Sequence, residues 1–353
     1  ATKYSAPYWL NEKGSLGMYK VSDASLIGLP EEDNQFPITF NLSIEGIEIA
    51  IVKNIVYKLN DPVKGEIYKP FQVLPEVTSS IPEKVLIFAS SEAKEIPIKI
   101  RAGRDAITGT VTLQHPKGWV VSPAQHTFSL GRMGEEQTLV FTVQPPQEQS
   151  EGDLKPLVHI GDTFYNKELV IIDYDHIPYQ SVLLPSEAKI VRLNIQKKGQ
   201  HIGYITGAGD AIPESLKQIG YTVTTIAPSE ITAENLKPFD AVVVGIRAYN
   251  TVPELAFTQA VLNSYVEDGG TLVLQYNTSH ALVTEDLAPY ALKLSRDRVT
   301  DEHSEVTLLK PKHPILNTPN KITQSDFDGW VQERGLYFPS EWSKEFTPIL
   351  GMH

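Results

Sequence analysis

The residues best placed to do chemistry lie beyond residue 200. Gly207-Ala-Gly209-Asp210 joins two glycines to a carboxylate, so its backbone N–H groups could face an anion where a helix begins. The same residues serve equally as a tight turn followed by a helix cap. The dinucleotide pattern Gly-x-Gly-x-x-Gly fails here, because Ile212 stands at its third glycine. Arg247, Tyr249 and Asn250 form one polar group, and Tyr276, Asn277 and Thr278 form another. Either they offer a sugar the directional hydrogen bonds and ring faces it needs, or they brace neighbouring loops. Ser295-Arg296-Asp297-Arg298-Val299 sets two guanidinium groups around a carboxylate. That arrangement would clamp an anionic or polyhydroxylated ligand, or hold a long loop. Trp330, Glu333 and Arg334 share helical spacing, which suits a stacking ring beside a charge pair or a core Trp with a surface ion pair.

Other chemistries are poorly served. Cysteine is absent, which excludes disulfides, thiolate metal sites and a Cys nucleophile. No Gly-x-Ser-x-Gly elbow replaces it. Asp173, Asp175 and His176 alternate carboxylates with an imidazole, but such short spacing is common in an exposed strand, and no metal site is expected. Lys and Arg number 31 against 43 Asp and Glu, a net charge of −12, which argues against phosphate-backbone binding and so against a nucleic-acid partner. Charged residues at 21% and hydrophobic ones at 41% leave ample material for cores. No apolar run approaches the roughly 18 residues of a membrane span.

The elements that must position the candidate residues change character near residue 197. Before it, short runs such as Phe36-Pro-Ile-Thr-Phe-Asn-Leu-Ser-Ile44 and Thr138-Leu-Val-Phe-Thr-Val143 alternate apolar and polar residues, the period of half-buried strands. We expect two all-β sandwiches, 1–78 and 79–196. The first is small and should depend on a neighbour or a partner. From His201 the pattern turns to α/β: strands at 201–206, 221–226, 239–246 and 271–276, with helices following the first and third. Gly220 and Asp268-Gly-Gly270 are the helix stops. This order predicts a doubly wound domain over 197–353, with ligands at the carboxyl ends of its strands.

Val111-Thr-Leu-Gln-His-Pro-Lys-Gly-Trp-Val-Val-Ser-Pro123, with Gly134-Glu-Glu-Gln-Thr-Leu-Val-Phe-Thr-Val-Gln-Pro-Pro146, resembles the NEW3-type sandwich found beside carbohydrate-active domains. Gly203-Tyr-Ile-Thr-Gly-Ala-Gly-Asp210, Gly245-Ile-Arg-Ala-Tyr-Asn250, Gly269-Gly-Thr-Leu-Val-Leu-Gln-Tyr-Asn-Thr278, Lys293-Leu-Ser-Arg-Asp-Arg-Val-Thr300 and Gly329-Trp-Val-Gln-Glu-Arg-Gly-Leu-Tyr337 resemble the C-terminal region of LmbE/PIG-L-family deacetylases of the Bacteroidetes type. The resemblance implies a glutamine amidotransferase-like, ThuA-like fold for 197–353. It also implies a zinc deacetylase domain N-terminal to this chain, and a periplasmic or secreted location. Two departures matter. The family's zinc motif, Ala-His-Pro-Asp-Asp, is absent, and His313-Pro314 is followed by Ile315-Leu316. The sequence ends just after an apparent strand, so truncation at both ends is expected.

The expectation is therefore an accessory region, without zinc or other cofactor of its own, that binds a glycan or small sugar beside a deacetylase domain. A carbohydrate-processing hydrolase using Asp210, Asp297, His313 or Glu333 is the second reading, and a structural or oligomerisation module the third. If a sugar binds, Gly207, Gly209 and Asp210 should supply backbone donors and a carboxylate. Arg247, Tyr249 and Asn250 should add directional bonds, Tyr276 and Asn277 an opposite wall, and Arg296, Asp297 and Arg298 the closing loop.

Overall fold

A computed structural model describes residues 4–15, 18–29, 36–177, 179–301, 303–329 and 335–352. The chain is β-rich and divides into two compact units, 1–86 with 91–191, and 87–90 with 192–353. Among the described residues no helix is long and apolar enough to cross a membrane.

Alternation of apolar and polar residues builds the first unit. Lys94–Ala102 buries Ile96, Ile98, Ile100 and Ala102, and Glu136–Gln144 buries Leu139, Phe141 and Val143. These two strands pair antiparallel at the centre of a four-stranded sheet, with Val77–Ser80 and Val120–Ser122 at its edges. A second antiparallel sheet includes, in order, His126–Leu130, Ile107–Gln114, Ser150–Ile160 and Ala188–Arg192. It buries Phe128, Val111, Leu154 and Val158 by the same period. Gly118 takes a φ of 89°, which turns the chain so that Trp119 is buried and donates its indole N–H to Ser150 Oγ at 3.0 Å.

Residues before Val77 differ from the small sandwich expected of 1–78. Among the described residues they form two hairpins, Pro37–Ile44 with Ile47–Asn54 and Val56–Asp61 with Gly65–Pro70. Glu45 and Gly46 both have positive φ (52° and 79°), the two-residue turn that matches strand twist. The register sets Phe40 opposite Ile51 and Leu42 opposite Ile49, yet every residue of that hairpin's strands is exposed. Two-stranded ribbons have too few faces to enclose a core.

In the second unit, four parallel strands lie in the order Thr222–Thr225, His201–Ile205, Ala241–Val244, Leu272–Leu274. Ile202, Tyr204 and Val243 form one buried cluster, joined by Leu216 of the helix Ile212–Gln218. Ile205, Val242 and Val244 belong to another, with Leu255, Leu262 and Tyr265 of the helix Leu255–Glu267. Gly220 and Gly269 end those helices at φ of 94° and 93°, values that carry a steric cost for any residue with a Cβ. Beyond the parallel sheet the strands are short ladders: Leu292–Leu294 with Pro339–Trp342, Arg298–Val299 with Gly335–Leu336, and Val306–Leu308 with Leu350–Met352.

The burial contrast in the first unit is measurable. Phe141→Ala empties a fully buried position and should cost about 3–5 kcal/mol, whereas Leu42→Ser should stay within about 0.5 kcal/mol. Urea midpoints compare the two. Equal shifts would mean that the hairpin carries a core contact of its own.

Candidate functional site

The carboxyl edge of the parallel sheet is shaped by two close approaches of backbone. A Cβ at Gly207 would stand 2.2 Å from the Ile246 carbonyl, and one at Gly245 would stand 2.8 Å from the Tyr204 hydroxyl. Glycine at both positions lets the turn after the first strand pack on the turn after the third, where Ala208 N–H donates to Ile246 O at 2.8 Å. The third strand then bends sharply into the short helix Ala248–Thr251 through Arg247, which sits in the left-handed region at φ 55°, ψ 24°. Its N–H donates to Tyr276 O at 2.9 Å.

Asp210 holds this junction together. Its carboxylate accepts from the Tyr204 hydroxyl at 2.6 Å, Ile212 N–H at 2.9 Å, and Ile246 N–H and Gln275 Nε2, both at 3.4 Å. Burial pushes the Asp210 pKa up, but these donors outweigh it and hold the carboxyl below its ordinary value. Burial and the bond to Asp210 push the Tyr204 phenol well up. Asp210 therefore acts as the turn residue that leads into the helix, one position before its cap, Ala211.

Several polar residues expected to face a ligand are likewise consumed internally. Tyr249 is fully buried, donates its hydroxyl to Gln259 Oε1, and is pushed by burial up to about 12. Asn250 Oδ1 accepts from Thr278 N–H at 2.9 Å, and its Nδ2 donates to His280 O at 3.0 Å. Asn277 is buried too, accepting from Tyr249 N–H at 3.0 Å and donating to Gln275 O at 2.9 Å. These side chains brace the loops after the third and fourth strands.

What remains outward is aromatic and cationic. Arg247 is exposed. Tyr276, 39% exposed, lies nearly parallel to Tyr337, at 8° between planes and 6.5 Å between centroids. His280 lies 5.9 Å from the Tyr337 ring, and the Arg298 guanidinium 6.0 Å from it. Tyr337 ends one of the blocks that carry the resemblance, but neither it nor His280 is among the expected site residues, and Tyr337 lies 61 positions from Tyr276. Backbone strain does mark it: φ is 52° at Tyr337 and 54° at Ala281, next to His280.

Arg296 and Asp297 are exposed on the neighbouring segment, where Asp297 N–H donates to Ser295 Oγ at 2.9 Å. Gly209, at φ 99°, shapes its turn. His313 caps a single turn through Nδ1 to Ile315 N–H. Asp173 and Asp175 pair with Lys69 and Lys64. Among the described residues no group of three or more His, Asp or Glu could hold a metal ion. Trp330, Glu333 and Arg334 lie outside the described residues.

Neither family models nor curated proteins give a match to this sequence. Solved structures give distant similarities. One is WR4, a Caenorhabditis elegans MSP family member, at 7% identity and a TM-score of 0.21, covering 33% of this chain and 97% of that one. Another is a family 123 glycoside hydrolase from Clostridium perfringens, at 8% identity and a TM-score of 0.22, covering 56% of this chain and 37% of that one.

The Asp210 linkage has a definite sign. Its pKa is lowered in the folded chain, so its contribution is fully present above the ordinary value of 3.8 and is lost as pH falls through the lower folded value. The wild-type chain should therefore lose more stability than Asp210→Asn between pH 5 and pH 2, as followed by urea midpoints. Parallel profiles would show that the carboxylate is not held ionised by its donors.

Proposed function

We propose that this chain is a carbohydrate-binding accessory region of a deacetylase of the LmbE/PIG-L type, with the sugar resting at the carboxyl edge of the parallel sheet. One observation carries the reading. Among the described residues, three of the five non-glycine positions with positive φ, namely Arg247, Ala281 and Tyr337, belong to or directly adjoin the exposed aromatic and cationic residues at that edge. Glu45 has an evident role in its hairpin turn. Strained backbone of this kind costs of order 1–3 kcal/mol per residue and tends to collect where side chains are held ready for a ligand.

Tyr276 and Tyr337 supply ring faces for the C–H surface of a pyranose. Arg247, Arg298 and His280 supply donors for hydroxyls or a carboxylate. The reading takes 197–353 as a doubly wound, amidotransferase-like domain. It is supported by the parallel strand order and by buried clusters that engage different helices. At the sharp bend after the third strand, where a hydrolase of this layout would carry its nucleophile, the chain has Arg247. Asp210, held ionised and engaged by four donors, is poorly suited to act as a general acid. Zinc would belong to the deacetylase domain of the parent protein, and the extracytoplasmic location follows the same resemblance.

Calorimetry against N-acetylglucosamine and uronic acids should show binding that Arg247→Ala or Tyr276→Ala weakens roughly 5- to 150-fold. Binding unchanged by both substitutions would sink this site. The chain alone should release no acetate from N-acetylglucosamine derivatives. Metal-dependent release would overturn its accessory role.

A further inference from the structure

Residues of the three short ladders after residue 290 line an open hollow of about 660 Å³. Leu292, Phe338, Trp342 and Phe346 are among its lining residues, and Asp297 and Arg298 are its charged ones. Three large apolar residues of the lining stay far from buried: Trp342 is 47% exposed, Leu309 43% and Leu350 41%. A mostly apolar hollow of this size with a few polar groups has the make-up of a small-molecule site. It also adjoins the sheet-edge cluster. Arg298 lines the cavity and lies 6.0 Å from the Tyr337 ring. Tyr337 and Phe338 are consecutive, the first in the ring cluster and the second in the cavity wall.

We propose that this cavity takes the apolar portion, acyl or aryl, of an amphipathic glycoside whose sugar rests on Tyr276 and Tyr337. The inference deepens the sugar-binding reading and rests on it. A second sugar would leave hydroxyls unpaired against walls of Leu, Phe and Trp. A wholly apolar molecule would fill the hollow but leave the adjoining rings of Tyr276 and Tyr337 unused. An apolar tail joined to a hydroxylated or anionic head satisfies both, with Arg298 at the junction.

The experiment compares methyl and octyl β-glycosides of N-acetylglucosamine by calorimetry, the octyl compound below its micellar concentration. Burying two methylenes corresponds to about a tenfold gain, so the octyl glycoside should bind the wild-type chain at least about tenfold more tightly. Trp342→Ala and Leu309→Ser should each reduce that advantage below about threefold. Their affinity for the methyl glycoside should stay unchanged, which also shows that both variants fold. Tyr276→Ala should weaken both ligands. Equal affinities in the wild-type chain would overturn the cavity assignment while leaving the sugar site standing. An octyl advantage that persists in both variants would overturn it as well. Failure of both glycosides to bind would remove the sugar reading, and this inference with it.

Discussion

The carboxylate of Asp210 is the constraint on which the sheet edge depends. Its four donors come from the first strand, the start of the following helix, the bend after the third strand and the end of the fourth. One small anion therefore fixes the relative positions of four chain segments. With Arg247 N–H on the Tyr276 carbonyl, it helps offset the roughly 1–2 kcal/mol of placing a non-glycine residue in the left-handed region. Gly207 and Gly245 are the steric condition for the same junction, since a methyl group at either would separate the turns that Asp210 draws together.

Around that anchor, polar side chains divide their work by reach. Asn250 and Asn277 are short, and each binds backbone of the loop that carries the other, so the two loops stiffen reciprocally. Buried amides left without partners would cost about 1–3 kcal/mol each, which explains why this capacity is spent inward. Arg247, Tyr276 and Arg298 have longer side chains whose rings or charges extend beyond the bracing layer. Under the proposed reading, a sugar would meet these longer side chains rather than the bracing amides.

These divisions explain what the sequence reveals and what it conceals. Period-two burial in Lys94–Ala102 and the apolar run of Ala241–Val244 are local patterns, so the strands and the parallel order after His201 are legible from composition and spacing. The expectation of a site at the sheet edge follows from that order. Individual roles do not, because Asn, Asp and Tyr offer the same atoms to a loop as to a ligand. Tyr337 is the clearest case: it reaches Tyr276 only through pairings such as Arg298 with Leu336 and Leu292 with Trp342, which join residues 38 and 50 positions apart. Residues before Val77 mislead in the opposite sense. Ile38, Phe40, Leu42 and Ile44 alternate as a sandwich strand would, yet all four remain exposed in the hairpin that results.

The two halves of the sheet-edge cluster rest on supports of unequal stiffness. Tyr276 follows a parallel strand whose neighbours are buried, and its backbone is tied to Arg247. Arg298 stands on a ladder of two residue pairs, and Tyr337 directly follows that ladder's second strand. So short a ladder shields few hydrogen bonds and opens at little free-energy cost. Affinity at such a site depends on ordering the weaker half as much as on the contacts made. Positive φ at Tyr337 adds to that cost, and stacking against Tyr276 offsets part of it. A ligand that touches both rings gains the ordering term once and two contacts together. One that touches only Tyr276 gains a single ring face; on the proposed reading the parallel sheet would supply position and the short ladders discrimination.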